Sequence, residues 1–367
     1  MRILITGGCG FIGSHLVDAL VEKHSVKVLD SLEYQVHGGK LPDYLNPEAE
    51  YIFGDIRDRD IIEHSIEDID LIFHEASVVG VGQSMYQIRK YTDVNTLGTA
   101  NLLDILVNNE HDVKKIIVAA SMSSYGEGSY ECENCGIVNP PLRSQKQMQQ
   151  NKWELHCPIC GAMVNHAPTN EEKIQNCNSI YALTKMDQEH MVMMIGKTYG
   201  LQSVALRYFN VYGPRQSLSN PYTGVAAIFM SRIKNNNPPI IYEDGLQTRD
   251  FVSVHDIVQA NILTMEKSKA NYEVFNVGTG IPLTVQNIAE TIAETYRSDI
   301  KAEITNKFRK GDVRHCYADI SKIQKLGFKQ SISFEKGMRE LIKWSSKQIA
   351  VDKFEHANNE LQEKGLI

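Results

Sequence analysis

Tyr181 and Lys185 stand four residues apart in the run YALTK. On a helix, positions i and i+4 share one face, so the phenol and the ammonium can converge. A nearby cation lowers a phenol's pKa from about 10 toward neutrality, which makes Tyr181 a usable general base. Ser121 opens the run SMSSYG, directly after the apolar stretch Ile116–Ala120. A hydroxyl at the carboxyl end of a parallel strand lies where such sheets bind ligands. Taken singly, a YxxxK is common by chance and a serine-rich run is ordinary turn chemistry. Their meaning depends on what accompanies them.

A second pattern fits a phosphate-bearing cofactor. Residues 3–13 read ILITGGCGFIG, an apolar run leading into Gly7, Gly10 and Gly13 and then a helical pattern. Glycines there permit a tight turn and close approach of a pyrophosphate, and the helix that follows offers free N–H groups and a positive dipole end. The spacing is G-x-x-G-x-x-G rather than G-x-G-x-x-G. Asp30 ends the next apolar run, VKVLD, twenty residues after Gly10. A carboxylate there accepts a ribose 2′-OH and repels a 2′-phosphate, and Ser31 supplies no arginine to offset that, so NAD is expected over NADP.

A third pattern is metal-binding. Of seven cysteines, four form Cys132-x-x-Cys135-Gly and Cys157-x-x-Cys160-Gly, separated by 21 residues. Each knuckle can give two thiolates to one tetrahedral Zn²⁺. Four thiolates leave no open position, so the expected zinc is structural; iron–sulfur ligation and a dithiol redox pair suit this knuckle form less well. Cys9, Cys177 and Cys316 are scattered and read as free thiols.

These residues must be positioned by a repeating scaffold. Strand-like runs at Arg2–Thr6, Val26–Leu29, Tyr51–Phe53, Leu71–His74, Lys115–Ala120 and Ser203–Leu206 alternate with helical patterns such as Phe11–Glu22 and Thr96–Asn109. That alternation implies right-handed βαβ crossovers and a parallel sheet covered on both faces, an α/β doubly wound (Rossmann) fold. The second half mixes helices near Val225–Asn235, Val254–Lys267, Val285–Tyr296 and Phe334–Lys347 with short strands. The expected organisation is a cofactor domain over 1–207 (joined by part of 252–278), a smaller α/β substrate domain over 208–345, an insert at 127–176, and a frayed helix or tail over 346–367.

The 367 residues carry 42% hydrophobic and 23% charged side chains, ordinary for a globular protein. A membrane span needs about 20 apolar residues, and no run reaches that. The first residues enter a strand pattern at once, without the charged and apolar regions of an export signal, so a cytoplasmic protein is expected. A net charge of −7 disfavours nonspecific nucleic-acid binding. An anionic substrate would need a local basic pocket.

Eight motifs occur in one order: TGGCGFIG, the Asp30 strand end, Gly54-Asp55-Ile56, His74-Glu75-Ala76-Ser77, Asp93-Val94-Asn95, SMSSYG, YALTK and RYFNVYGPRQ. Together they resemble the extended short-chain dehydrogenase/reductases, specifically the nucleotide-sugar epimerases and dehydratases, over about residues 1–345. The resemblance implies a triad of Ser121, Tyr181 and Lys185. It implies NAD contacts from Gly7, Gly10, Phe11, Ile12, Gly13, Asp30, Asp55, Ile56, Ala76, Ser77, Asn95, Tyr181 and Lys185, with Asn95 also orienting the lysine. It places Ser121, Ser123, Asn210, Arg249 (in QTRDF) and Arg314 (in GDVR) on the substrate, the two arginines gripping its diphosphate. Guanidinium suits that task, because it is always charged and bonds phosphate in pairs.

The family's dehydratases carry Asp-Glu directly after the catalytic Ser or Thr; here the residues are Met122 and Ser123, and a thioether cannot transfer a proton. The expected reaction is therefore 4-epimerisation through a 4-keto sugar. Segments 31–39, 79–86 and 219–224 resemble dTDP-L-rhamnose 4-epimerases, implying dTDP-6-deoxy-L-talose as product. UDP-hexose 4-epimerisation and NAD(P)H-dependent ketosugar reduction are the alternatives. Retention of Tyr181 and Lys185 argues against a mere NAD sensor. The family commonly dimerises through helices corresponding to Thr96–Asn109 and Tyr181–Tyr199, so a homodimer is expected, with no nucleic-acid or membrane partner. Ser121 and Tyr181 lie sixty positions apart where the family needs about twenty-five, so the cysteine ribbon is an insert expected over the mouth of the site. Two readings stand side by side: a metal-stapled loop too small to hold itself, or a lid that selects substrate. Between Glu127 and Glu172 it holds six acidic and three basic side chains, so it is no nucleic-acid surface.

Overall fold

The computed structural model describes all 367 residues. The apolar runs become β1 (Arg2–Thr6), β2 (Ser25–Asp30), β3 (Glu50–Phe53), β4 (Leu71–His74), β5 (Lys115–Ser121), β6 (Gln202–Tyr208) and β7 (Glu273–Val277). They form one parallel sheet in the order β7-β6-β5-β4-β1-β2-β3. The chain winds one way from β1 to β3 and the other way from β4 to β7. The crevice between β1 and β4 is thus the switch point, where open α/β sheets bind ligands. Thr6 pairs with Leu29 on one side and His74 on the other, which brings the carboxyl ends of these strands level there.

Both faces of the sheet are covered. Helices Phe11–Leu20 and Val254–Glu266 bury one face, with Ile3, Ile5, Val28, Phe73, Ile117 and Leu206 in its core. Helices Gly98–Asn108 and Ile180–Tyr199 bury the other, over Leu4, Ile72, Ile116, Val118 and Ala205. Every residue of β5 is buried. This is why the run KIIVAAS shows no polar alternation: a strand covered on both faces has no wet side.

Residues after β6 build a smaller layer. Strands Asn210–Tyr212, Thr248–Ser253, Pro282–Thr284 and His315–Cys316 pack with helices Val225–Lys234, Val285–Tyr296 and Phe334–Ser345 around Tyr212, Phe229, Phe251, Ile288 and Leu341. The insert is a three-stranded antiparallel ribbon of Ser129–Cys132, Gly136–Val138 and Asn165–Ala167 with a core of Tyr130, Val138, Leu155 and Val164. The end of the chain, expected as a frayed helix or tail, is helical. Phe354–Glu363 is a helix that buries Ala357 and Leu361. No helix is long and apolar enough to cross a membrane.

Candidate active site

The glycine run sits at the carboxyl end of β1. Gly7 has φ +74°, and a Cβ there would lie 2.9 Å from the backbone of Ala76. A Cβ on Gly13 would lie 2.4 Å from the Gly7 carbonyl oxygen. Gly10 caps the helix Phe11–Leu20 with no side chain over its first N–H groups. Those orphan donors and the helix dipole form an anion cradle. Asp30 draws the loop into place by accepting from Cys9 N at 2.9 Å and Leu32 N at 2.8 Å. These features fit a dinucleotide.

One cleft is lined by Gly7, Gly10, Phe11, Ile12, Gly13, Asp30, Asp55, Ile56, Ala76 and Ser77, and also by Ser121, Tyr181 and Lys185. Asp55 is held by Arg57 at 2.7 and 2.9 Å, which keeps its carboxyl below the usual range. Asn95 does not reach the cleft. It is fully buried in a π-helical turn, Thr92–Leu97. Its Oδ1 accepts from Val78 N at 2.8 Å, and its Nδ2 donates to Val78 O at 3.1 Å and Thr184 Oγ1 at 3.0 Å. It therefore anchors the backbone beside Ser77 and the residue before Lys185. It is a scaffold for the site rather than the expected cofactor contact, and π-turns of this kind cluster at functional sites.

The catalytic helix Ile180–Tyr199 is capped by Ser179, whose Oγ accepts from Ala182 N at 3.1 Å. Tyr181 N donates to Ser84 Oγ at 3.0 Å. The Ser121 hydroxyl, 2.9 Å from Ser123 Oγ, lines the same cleft as the Tyr181 phenol. The expected depression of that phenol is not met. Burial raises it, and only the neighbouring Ser121 hydroxyl opposes. The Lys185 ammonium points to Gln188 Oε1 at 2.8 Å, and burial lowers its pKa to about 8.

The four cysteines come together. Their sulfurs all lie within 4.8 Å of one another, with Cys132 and Cys160 3.6 Å apart. A tetrahedron with Zn–S of about 2.3 Å needs sulfurs about 3.8 Å apart, so the set fits zinc. Gly136 and Gly161 follow the knuckles at φ +70° and +75°.

The ribbon is not where it was expected. None of residues 127–176 lines the cofactor cleft. It stands instead on the smaller layer, where Arg143 grips Glu243 with two 2.8 Å bonds. Glu127 accepts from Arg314 N at 2.9 Å and His315 N at 2.8 Å. Its return limb touches the serine loop: Gln175 Nε2 donates to Ser124 Oγ at 2.9 Å, and Ser124 Oγ donates to Ser121 O at 2.8 Å.

Arg314 also departs from expectation. Its side chain is wholly buried and bonded to Glu154, Glu243 and Asp244. With three carboxylates around it, this guanidinium is the cation of an internal network, not an open diphosphate clamp. Arg249 is oriented by the carbonyls of Thr248, Val313 and Arg314 at 2.6–3.1 Å. Asn210 carries a buried Oδ1 with no partner, an acceptor available to a ligand.

Two family descriptions match the chain: the NAD dependent epimerase/dehydratase family over residues 3–146, and GDP-mannose 4,6 dehydratase over 161–341. A dTDP-L-rhamnose 4-epimerase of Burkholderia thailandensis is 32% identical over 353 residues, covering 95% of this chain and 96% of that one. The chain belongs to the NAD-dependent nucleotide-sugar epimerases of the extended short-chain dehydrogenase/reductase family. Two solved epimerases share its architecture. The UDP-glucose 4-epimerase of Thermotoga maritima, with UDP-glucose, superposes with a TM-score of 0.77 at 31% identity, covering 95% of this chain and 99% of that one. The UDP-glucuronic acid 4-epimerase of Bacillus cereus, with UDP-glucuronic acid and NAD, gives 0.77 at 25% identity over the same shares.

This epimerase has site residues that motif reading passed over. Glu75 follows β4 and lines the cleft, accepting from Tyr208 OH at 2.8 Å. Burial raises its carboxyl to about 7, against the Tyr208 bond and the Lys185 charge. Gln188, three residues after Lys185, also donates to Thr99 Oγ1 at 2.9 Å. A charged residue inside the HEAS run and an amide one turn beyond the lysine were the available signals.

Proposed function

We propose that this enzyme inverts C4 of a nucleotide-linked sugar through a transient 4-keto intermediate, converting dTDP-L-rhamnose to dTDP-6-deoxy-L-talose. The observation that carries the reaction is the convergence of Ser121, Tyr181 and Lys185 on the cofactor cleft, with Met122 and Ser123 where a dehydratase needs acid–base groups. The sugar and base rest on the 32% identity to the rhamnose epimerase.

NAD, bound along the glycine run and Asp30, supplies the acceptor and returning donor for the C4 hydride. Tyr181 takes the proton of the C4 hydroxyl as that carbon is oxidised, and Ser121 holds the same oxygen. Lys185 lines the same cleft with its ammonium on Gln188. Tyr181 returns the proton after the keto sugar has turned its other face to the cleft. The reaction is redox-neutral, so no reductant is needed.

A UDP-hexose substrate is the second reading, favoured by the match to the UDP-glucose epimerase of Thermotoga maritima. The four thiolates are assigned to one structural zinc, and Arg249 and Asn210 to the substrate. Leu97 at the end of the π-turn, with Leu183, Met194 and Tyr199 on the catalytic helix, is exposed and apolar, which supports a homodimer through these helices. The test is to incubate the purified protein with dTDP-L-rhamnose, without added reductant, and follow the sugar by NMR. New resonances of the C4 epimer are expected. Inversion of UDP-glucose alone would move the assignment to the second reading, and reduction of a dTDP-4-keto-6-deoxy sugar by NAD(P)H without inversion of either nucleotide sugar would make the enzyme a reductase.

A further inference from the structure

The C-terminal helix Phe354–Glu363 lies beyond the family matches, which end at residue 341. Its composition is polar, yet it is seated on the two segments that wall the cofactor cleft. Those walls are Val79 on one side, and Gln216, Ser217, Asn220 and Thr223 on the other. Gln35 joins them by bonding both Gln83 at 2.9 Å and Asn220 at 3.1 Å.

The helix adds a second, outer joint. The hydroxyls of Tyr86 and Tyr222 lie 2.6 Å apart, one from each wall. Both reach the Glu360 carboxylate, Tyr86 at 3.1 Å and Tyr222 closer still. Leu361 is buried over Gly82, where a Cβ would come within 3.1 Å of its methyl. Just before the helix, Val351 N donates to Ser219 Oγ at 3.0 Å, a further tie to the second wall. The helix is itself fixed to the smaller layer. Tyr242 OH donates to Asn358 Oδ1 at 2.8 Å, Arg232 pairs with Glu355 at 3.1 Å, and Lys310 N donates to Leu366 O at 2.9 Å. Glu360 thus pulls on two tyrosines from opposite walls while its helix is held from behind.

We propose that this helix is a latch on the cofactor, with Glu360 as its positioning residue. Tyr86 donates its one hydrogen to Tyr222 and Tyr222 donates to the Glu360 carboxylate, and a hydrogen bond to a carboxylate is charge-assisted, roughly twice as strong as a neutral one. The latch keeps the loop 216–224 closed against the segment 79–86, so that NAD does not leave while the sugar is in its keto form. This inference rests on the redox-neutral reading above, in which a cofactor lost in mid-cycle would strand the intermediate.

The experiment measures NAD release directly, without sugar. The probe is NAD itself: the cofactor carried by the purified protein is quantified, and its loss on dilution is followed by rapid gel filtration. Glu360→Ala and a chain ending at Asp352 are expected to release NAD at least ten-fold faster than wild type. Their epimerase activity should decay on dilution and be rescued by added NAD. Tyr222→Phe, which keeps the ring, is the variant to use if the shortened chain fails to fold; it is expected to give a smaller increase in the same direction. Glu360→Ala and Tyr222→Phe proteins that fold as wild type and release NAD at its rate would overturn the latch. Because release is read without substrate, a wrong sugar assignment leaves this outcome unaffected.

Discussion

Lys185 directs its ammonium to Gln188 Oε1, 2.8 Å away on the same helix, and not to the Tyr181 phenol. The i, i+4 spacing places both residues on one face, but spacing does not fix where a long side chain ends. Gln188 accepts the ammonium, while its own amide group donates to Thr99 Oγ1 at 2.9 Å. The amide therefore stabilises the charged form of a buried lysine whose pKa burial lowers to about 8. Gln188→Leu removes that acceptor and leaves the charge buried. A hydrogen bond to a charged group is worth about 1.5–3 kcal/mol, so the lysine pKa should drop by about one unit or more. The alkaline limb of the kcat profile should move to lower pH by that amount, with kcat at pH 8 falling about ten-fold. An unmoved limb would show that Gln188 does not hold the charge.

Glu75 makes a prediction about stability. Its carboxyl is raised from 4.5 to about 7, chiefly by burial. A raised carboxyl pKa means that between those values the native state keeps a proton that the unfolded chain has lost. Stability therefore falls as pH climbs from about 4.5 through about 7. Glu75→Gln removes the titration while keeping an acceptor for Tyr208. It should be more stable than wild type at pH 8 by ~1–2 kcal/mol, a few degrees in Tm, and nearly neutral at pH 5. Equal Tm differences at the two pH values would place the Glu75 carboxyl in the ordinary range.

The parallel strands were legible because a strand buried on both faces must be apolar throughout, as Lys115–Ser121 nearly is. The cofactor loop was legible because glycine has few substitutes where backbone meets backbone, as at Gly7 against Ala76. The two knuckles were legible because each pair of cysteines lies within one tight turn, followed by Gly136 or Gly161 at positive φ. The departures share one cause: partners distant in the chain. Arg314 reads as an anion grip until Glu154, 160 residues earlier, is found beside it. Residues 354–363 read as a fraying end because only Ala357 and Leu361 are buried, and the tyrosines that engage Glu360 lie at positions 86 and 222.

Arg143 belongs to the same network. Its side chain is wholly buried, as is that of Glu243 to within 2%. Arg143→Ala would leave a buried carboxylate with only Arg314 as partner. Breaking a buried pair costs about 3–5 kcal/mol, and the remaining arginine should hold the loss near the lower end, with Tm falling by about 5 °C or more. The exposed pair Arg59–Asp104 is the control, because its loss should change stability by under ~1 kcal/mol. Thermal unfolding of Arg143→Ala and Arg59→Ala decides the matter. Similar small losses in both would mean that the ribbon is not fastened through Arg143.

The zinc proposed for the ribbon makes the last prediction. One sulfur taken from each knuckle, in Cys132→Ser with Cys157→Ser, leaves two thiolates, too few for a closed tetrahedral site. The purified variant should carry less than one tenth of the wild-type zinc by elemental analysis. The ribbon's own core is four apolar side chains and two of these cysteines, too little to hold a loop of this length without metal. Limited proteolysis should therefore cut between residues 127 and 176 while the sheet β1–β7 stays intact and retains NAD. Freed of zinc, Glu127, Arg143 and Glu154 would lose their fixed places against Glu243, Arg314 and His315. The effect should appear as a KM for the nucleotide sugar raised about ten-fold, with a smaller change in kcat, since Ser121 and Tyr181 are placed by β5 and the catalytic helix. Wild-type KM, full activity and unchanged substrate preference in the zinc-free variant would reduce the ribbon to a stapled loop with no part in substrate binding.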